Sequence, residues 1–354
     1  MTTTSANNPV PTLAALMSEA NANWRVFDLG RRIQTIGKSD FELIENNQKP
    51  YPFPLQQKAR FAMVFWDKSE NAQAAMKNPF IWFLQFELDE MGLLKLQQRD
   101  HFISLVIKEL GSNLINAKDE QNSLDNHPYS FTPDQNRQAA FNANVKLALK
   151  QPASMYYEHA QAYFKGQLEA DKWQELTVQG IADFAARIDD KENEQALIAK
   201  LDDMPVQILS TLAATLEHQE IGVELTQRLV DAQNDFIDSG DKEQVINTLR
   251  CMAGSKSKSL VAGQLHALLK SFEAEDEALF IVIAGRFWPY LNDTSLLHLF
   301  FEKAAGHTNQ QLFSGLFADL VAVPEVRKTV LGLLRDPMRP EAVSRAIGAV
   351  FGRA

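Results

Sequence analysis

The spacing of apolar residues changes once along this 354-residue chain, and the change restricts its fold more than any other feature does. Up to residue 88, apolar side chains recur at every second position in several short segments, which is the period of a β-strand. From residue 134 onward they recur at every third or fourth position, which is the period of an α-helix. The sequence therefore predicts an α+β fold, with a small antiparallel β-containing N-terminal domain followed by an all-helical body.

The strand predictions are residues 24–36, 59–66 and 80–88. In the last of these, Trp82, Leu84 and Phe86 fall on one face and are predicted to be buried. Residues 99–113 carry apolar side chains at helical spacing and are predicted to cover one face of the sheet.

The predicted domains are a head at residues 1–116, a polar linker at 117–136 that contains two prolines, and a body at 137–354. Several predicted body helices open with proline followed by apolar residues, at Pro205, Pro324 and Pro340. These openings resemble those of HEAT-like repeats, although their spacing is not fixed. An irregular α-solenoid-like body is favoured, and a globular helical domain is the alternative.

Charge and cysteine usage indicate the class of protein. The formal net charge is −10, whereas proteins that bind duplex nucleic acid need basic surfaces, so we expect no nucleic-acid partner. The single cysteine, Cys251, cannot form an intramolecular disulfide and favours a reducing compartment. The N-terminus lacks the basic and apolar regions of a signal peptide, and no apolar stretch is long enough to span a membrane. We therefore expect a cytoplasmic protein.

A search for catalytic and binding motifs finds none that is specific. Gly37-Lys38-Ser39 lacks the second glycine of a phosphate-binding loop and is interpreted as a turn between strands. The seven histidines never pair at the spacing of metal ligands, and Glu158-His159 and His218-Gln219-Glu220 are interpreted as isolated, solvated positions in helices. The sequence predicts no catalytic residue, no metal and no cofactor.

Three carboxylates lie close together where the strongest strand ends: Glu87, Asp89 and Glu90. Paired carboxylates at such a position can hold a cation or act as acid and base. The alternative is structural, because Asp89 and Glu90 can accept hydrogen bonds from turn amides or from the next helix N-terminus. The structural interpretation is favoured, and the three residues stay a candidate site.

Two glycines, Gly348 and Gly352, stand four residues apart in the last predicted helix. Glycine inside a helix costs about 1 kcal/mol relative to alanine, so the pair is interpreted as a place where another helix backbone approaches closely. That neighbour is either the preceding helix, which would make this the cap of the body, or a second subunit. Gly348 and Gly352 are therefore the candidate interface of a possible homodimer.

The Leu88-Asp89-Glu90 turn after an aromatic strand, together with the helical remainder, resembles a family of uncharacterised bacterial proteins of about this length. The resemblance covers the whole chain, but its motif is only a three-residue turn. The family carries a domain of unknown function, so the resemblance implies no activity, cofactor or site. It agrees with a bacterial, cytoplasmic origin.

The expected function is that of a non-enzymatic protein-interaction or scaffold protein, because stacked helices expose long grooves that suit protein partners. The alternative is an enzyme that uses Glu87, Asp89 and Glu90 where head meets body. Nucleic-acid binding through the basic C-terminal end is the least favoured hypothesis, since the acidic middle of the chain would repel phosphate.

Overall fold

The computed structural model describes residues 12–68, 78–115, 127–271 and 276–351. The chain divides into two compact units, Met1–Thr132 and Pro133–Ala354. The first unit contains a small antiparallel sheet, and the described part of the second consists of helices and their connections. The α+β fold predicted from the change of apolar spacing is therefore confirmed.

The sheet of the N-terminal unit has the strand order β2-β1-β3-β4, with all neighbours antiparallel. The strands are β1 (Ala22–Asp28), β2 (Gln34–Ile36), β3 (Lys58–Asp67) and β4 (Phe80–Glu87). The segment predicted as one strand at 24–36 is in fact a hairpin. Its residues Leu29 and Ile33 are buried in the turn between β1 and β2, which explains why their side chains continued the apolar pattern.

Among the described residues of this unit, three α-helices accompany the sheet: α1 (Leu13–Glu19), α2 (Lys38–Glu45) and α3 (Leu96–Ile115). The interpretation of Gly37-Lys38-Ser39 as a turn between strands is wrong, because Gly37 is the N-cap of α2. The signal for this helix was a single pair of buried residues, Phe41 and Ile44, spaced one turn apart. So short a pattern is weak evidence next to the proline-rich connector that follows it, residues 49–54, which has prolines at positions 50, 52 and 54.

The aromatic face of β4 packs against α3, as predicted. Leu84 and Phe86 are buried as predicted, whereas Trp82 is only partly buried and packs against the same core. The ring of Phe102 on α3 meets those of Trp82 and Phe86 at centroid distances of 5.3 and 6.3 Å. Each such pair contributes about 0.5–1.5 kcal/mol beyond the burial of its area, so this contact fixes the register of the sheet against its cover.

Residues 127–131, which lie within the predicted linker, pair with the outer edge of β4. Ser130 forms a bridge with Leu84, and the amide of Gln85 donates to the carbonyl of Tyr129 at 2.8 Å. The Tyr129 ring packs 5.7 Å from that of Phe86. Pairing of this kind satisfies backbone groups that an edge strand would otherwise expose.

The C-terminal unit is a succession of short helices joined by short connections. They are α4 (Gln135–Ala148), α5 (Tyr157–Phe164), α6 (Val178–Ala186), α7 (Lys191–Lys200), α8 (Val206–Leu216), α9 (Val223–Ser239), α10 (Lys242–Cys251), α11 (Lys258–Ser271), α12 (Glu277–Arg286), α13 (Thr294–Ala305), α14 (Gln310–Ala322), α15 (Pro324–Gly332) and α16 (Glu341–Phe351). Many of them begin at a side chain that accepts a hydrogen bond from a first-turn amide, as Asp190, Asp241 and Asp293 do. Gly240, in a left-handed conformation, ends α9.

Alternate helices of this unit pack side by side in two rows. One row runs α6, α8, α10, α12 and α14, and α4 packs beside its first two members. The other row runs α5, α7, α9, α11, α13 and α16. The chain therefore passes back and forth between the rows, so that each helix pair packs mainly on the pairs before and after it.

Candidate functional site

The loop that carries the predicted acidic site is a tight reversal between β4 and α3. Leu88 and Leu94 form an antiparallel bridge, and the amide of Lys95 donates to the carbonyl of Glu87 at 3.0 Å. Gly92 has φ 81°, in the left-handed region, which lets the chain turn back on itself. The sequence Leu-Asp-Glu-Met-Gly therefore closes a turn before the helix begins.

The carboxylates of this loop serve the loop itself. Asp89 Oδ1 accepts hydrogen bonds from the amides of Met91 and Leu93 at 2.8 and 2.9 Å. Lys95 Nζ donates to Glu87 Oε2 at 2.6 Å, and this bond holds the pKa of the Glu87 carboxyl below its usual value. Both side chains of that pair are about half exposed, so the pair adds little stability.

Glu90 is exposed and lies at the turn beside Asp89. Within the described residues, no group of three or more histidine, cysteine, aspartate or glutamate side chains is placed to hold a metal ion. The structure thus places Glu87, Asp89 and Glu90 close together at this turn. Asp89 accepts hydrogen bonds from amides of the turn, as the structural interpretation predicts.

Replacing Asp89 by alanine should lower the free energy of unfolding by about 1 kcal/mol, because two turn amides lose their acceptor. Urea unfolding followed by tryptophan fluorescence measures the change. Glu90→Ala is the matched control and should stay within about 0.5 kcal/mol of the wild type, as expected for an exposed position. Equal losses in the two variants would contradict the role given to Asp89.

Gly348 does not mark a close approach of another described helix of the same chain. This residue is exposed on α16, and a Cβ built on it would meet no atom within 4 Å among the described residues. Its missing side chain therefore makes no room for a neighbouring helix of the same chain. Gly352 lies outside the described residues.

Replacing Gly348 by alanine should raise the free energy of unfolding by roughly 0.5–1 kcal/mol, since alanine restricts the unfolded chain and meets no obstacle in the helix. Thermal unfolding of the two proteins checks this. Gly240→Ala should change stability in the opposite direction, because φ at Gly240 is 76° and alanine is strained there. A loss of stability in Gly348→Ala would restore the close-approach interpretation.

A buried ionic cluster lies in the C-terminal unit. Glu217, directly after α8, is buried together with His218. Its Oε2 accepts from Arg250 Nε at 2.8 Å, and its Oε1 accepts from Arg286 Nη2 at 2.9 Å. The imidazole Nε2 of His218 lies 3.7 Å from Oε1.

The row arrangement of the helices assembles this cluster. Glu217 follows α8, Arg250 is in the last turn of α10, and Arg286 ends α12, so neighbouring helices of one row end at the same edge. A helix C-terminus favours a cation, because its unpaired carbonyls carry partial negative charge. Glu217 then bridges both cations and joins three consecutive helices of the row.

The electrostatics of the cluster indicate a structural role. Burial alone would raise the pKa of Glu217, but the positive charges of Arg286, His218 and Arg250 outweigh it and hold the pKa well below its usual value. A carboxylate that stays ionised and is shared by two guanidinium groups is a poor proton carrier near neutral pH. The interpretation of His218 and Gln219 as solvated is wrong: both are buried, and Gln219 Nε2 donates to Asn144 Oδ1 at 3.2 Å.

Comparison with known proteins identifies the family but no function. Residues 8–351 match the family model described as "Protein of unknown function (DUF3549)". The chain belongs to this family. No curated protein and no solved structure matches. The resemblance to a family with a domain of unknown function is therefore confirmed, and the family adds no residue role to those that the structure shows.

Two further features of this DUF3549 chain are structural. The thiol of Cys251 is fully buried, and burial raises its pKa to about 12, so it is not a nucleophile near neutral pH.

Phe287 and Trp288 follow α12 and are buried, and Trp288 Nε1 donates a hydrogen bond to Glu325 Oε2 at 2.9 Å. The segment that carries these rings packs against α15. In the part of the chain that the structure describes, no helix is long and apolar enough to cross a membrane.

Sequence reasoning missed Glu217, Arg250 and Arg286 as a group. One signal was present, because the three residues stand 33 and 36 residues apart, each at or just after a helix end. A charge that recurs once per helix pair is a pattern of stacked repeats, and a search at that period would have connected the three positions.

Proposed function

We propose that the protein acts without catalysis, as a protein-interaction or scaffold protein that binds a protein partner on the helical surface of its C-terminal unit. The two rows of alternating helices carry the proposal, since such stacks present long continuous faces to a partner. On this proposal the body is an irregular relative of HEAT-like repeats. The 33- and 36-residue spacing of the ionic cluster shows that helix pairs recur at similar intervals, which are shorter than the period of about 40–47 residues in HEAT repeats.

Large apolar side chains on the surface of this unit support the proposal. Met155, Val223, Ile281 and Met338 are each more than half exposed, at 86, 59, 57 and 80%. When a partner covers exposed methionine and isoleucine side chains, the complex is stabilised by about 25 cal/mol for each Å² of apolar area that is removed from water. The net charge of −10 disfavours a nucleic-acid partner.

The alternative, an enzyme that uses the acidic loop, receives no support from the loop geometry. Asp89 accepts hydrogen bonds from two amides of its own turn, and Glu87 is paired with Lys95.

A bacterial cytoplasm is the compartment that we propose, since a buried thiol such as Cys251 suits a reducing environment. Homodimerisation through the exposed side of α16 is part of the proposal that light scattering on the wild-type chain tests directly.

Affinity capture with the full chain, quantified by mass spectrometry, tests the proposed function. The bait is compared with four single variants that place a charge on the C-terminal unit: Met155→Glu, Val223→Glu, Ile281→Glu and Met338→Glu. Met91→Glu is the matched control, because Met91 is 64% exposed on the N-terminal unit. We expect one protein captured in near-stoichiometric amount, lost with at least one of the four variants and retained with the control.

Two outcomes would contradict the proposal. The first is that no protein is enriched over a bait-free control. The second is that Met91→Glu releases the captured protein while all four variants of the C-terminal unit retain it, which would move the interaction to the N-terminal unit.

A further inference from the structure

The outward face of α9 carries four exposed carboxylates at intervals of seven, four and three residues, which place them on one side of the helix. They are Glu224, Asp231, Asp235 and Asp238. Among the described residues, none of the four forms an ion pair, and the one basic residue of α9, Arg228, pairs with Asp202 instead. Like charges one turn apart on a helix repel each other, so a cationic surface that covered this face would relieve the repulsion.

A shallow groove of about 460 Å³ lies between α13 and α15. Lys328 and Arg335, seven residues apart, both line it and are both exposed. Neither forms an ion pair with another described residue. Asp336 also lines the groove, but its carboxylate lies 2.8 Å from His298 Nε2 and accepts a hydrogen bond from the amide of Met338. The groove therefore offers two cations to an anionic occupant.

An exposed leucine lies between these two cations. Leu331 follows Lys328 by three residues, precedes Arg335 by four, and is 40% exposed. The end of a stack of helices that stays alone in water carries a polar outer surface. An apolar side chain flanked by unpaired charges has instead the arrangement of an interface, in which polar groups surround an apolar centre.

We propose that the groove between α13 and α15 binds the outward face of α9 of a second copy of this chain. Lys328 and Arg335 of one copy then meet Asp231 and Asp238 of the other, two pairs of charges with the same separation of seven residues. Such pairing fixes the partner and its orientation more than it adds affinity. The inference goes beyond the proposed function, because the bound molecule is the chain itself.

Charge complementarity within the chain supports a second copy as the occupant. Residues 323–354, which contain α15, carry 6 Lys and Arg against 3 Asp and Glu, whereas residues 111–322, which contain α9, carry 17 against 30. The two surfaces do not meet within one chain, because α11 packs between α9 and α13 in the same row. Contact between two different surfaces is head-to-tail, so it continues from copy to copy into open chains or rings.

Sedimentation velocity of the purified full-length chain tests the assignment. We expect the average mass to rise beyond that of a dimer with concentration at low salt. High salt should return the chain to a monomer, because the screening length falls from about 30 Å at 0.01 M to about 3 Å at 1 M.

Two double variants separate the two surfaces. The groove variant is Lys328→Gln with Arg335→Gln, and the face variant is Asp231→Asn with Asp238→Asn. Each should associate about tenfold more weakly than the wild type, as expected for the loss of two charge pairs. An equimolar mixture of the two should form a complex with one chain of each and nothing larger, because the mixture retains only one intact contact.

Matched controls remove the same charges elsewhere on the C-terminal unit. Glu158→Gln with Asp171→Asn removes two exposed carboxylates. At a net charge of −10, this lowers the general repulsion between copies, so the control should associate at least as well as the wild type. Lys150→Gln with Lys191→Gln removes two exposed cations and should weaken association less than the groove variant does.

Several results would overturn the proposal. They are a wild-type dissociation constant weaker than about 1 mM at low salt, equal association of a variant and its control, and a mixture of the two variants that forms no complex. A mass that stops at a dimer would indicate a closed two-fold interface and overturn the head-to-tail arrangement. A monomeric purified chain would leave the capture of a different protein, and with it the proposed function, unaffected.

Discussion

Replacing Glu217 by glutamine should lower the free energy of unfolding by about 3 kcal/mol, because it leaves two largely buried guanidinium groups without their shared negative charge. The Arg250 and Arg286 side chains are 24 and 15% exposed, so solvent compensates part of the loss. Urea unfolding followed by far-ultraviolet circular dichroism measures the effect in the helical unit.

Glu220→Gln provides the control three residues away. Glu220 pairs with Lys256 at 3.3 Å, but both side chains are mostly exposed, and an exposed pair contributes about 0–1 kcal/mol. If the two variants lose similar amounts of stability, Glu217 does not join the three helices as described.

The same variant should also change the dependence of stability on pH. The pKa of Glu217 is lower in the folded chain than its ordinary value of 4.5, so the unfolded chain takes up a proton first as the pH falls. The stabilisation by Glu217 is therefore complete above that ordinary value and decreases as the medium is acidified below it. As the pH falls, we expect the free energy of unfolding of the wild type to decrease more steeply than that of Glu217→Gln. Parallel curves of free energy against pH would contradict a lowered pKa of Glu217 in the folded chain.

Patterns that repeat along the chain made parts of the fold predictable. The alternation in β4 assigned Trp82, Leu84 and Phe86 to one face, because a strand with one buried face must keep its apolar residues in register. The helix over 99–113 followed from its apolar stripe and lies within α3. Both predictions rest on several apolar residues that repeat one spacing.

Features that depend on single contacts between distant residues were not predictable. Glu217 and Arg286 are 69 residues apart, and the residues beside each do not indicate that they meet; only the recurring spacing through Arg250 connects them. Gly348 shows the opposite error, since two glycines in a helix favoured packing against another helix of the chain, and the open space around Gly348 contradicts that explanation. The sequence placed Glu87, Asp89 and Glu90 together, but only the geometry shows that Asp89 accepts the amides of Met91 and Leu93.

Replacing Asp28 by alanine should have the largest effect in the N-terminal unit, a loss of about 3 kcal/mol or more, because several buried donors lose their acceptor at once. Asp28 is buried at the end of β1, where its Oδ1 accepts from the Gly30 amide at 3.1 Å and its Oδ2 from the Arg31 amide at 3.2 Å. The hydroxyl of buried Tyr51 donates to Oδ1 at 2.6 Å.

These bonds connect the hairpin of β1 and β2 to the proline-rich connector that contains Tyr51. Arg31 Nε adds a second link by donating to the carbonyl of Pro54 at 2.8 Å. Prolines cannot donate backbone hydrogen bonds, so the connector depends on side chains for its attachment to the sheet. Loss of the Asp28 carboxylate should therefore loosen both the turn and the connector.

Tyr51→Phe separates the two contributions, because it removes one hydrogen bond and leaves the turn amides with their acceptor. It should cost roughly 1.5–3 kcal/mol, the range for a hydrogen bond to a charged group, and less than Asp28→Ala. Asp40→Ala is the surface control, since Asp40 pairs with Lys49 where both side chains are about half exposed. Three of the five tryptophans, Trp24, Trp66 and Trp82, lie in this unit, and replacing Trp173 and Trp288 by phenylalanine in all of the proteins compared makes fluorescence report its unfolding. A loss in Tyr51→Phe that equals the loss in Asp28→Ala would show that the turn amides gain nothing from Asp28, and that the carboxylate acts only by holding the connector.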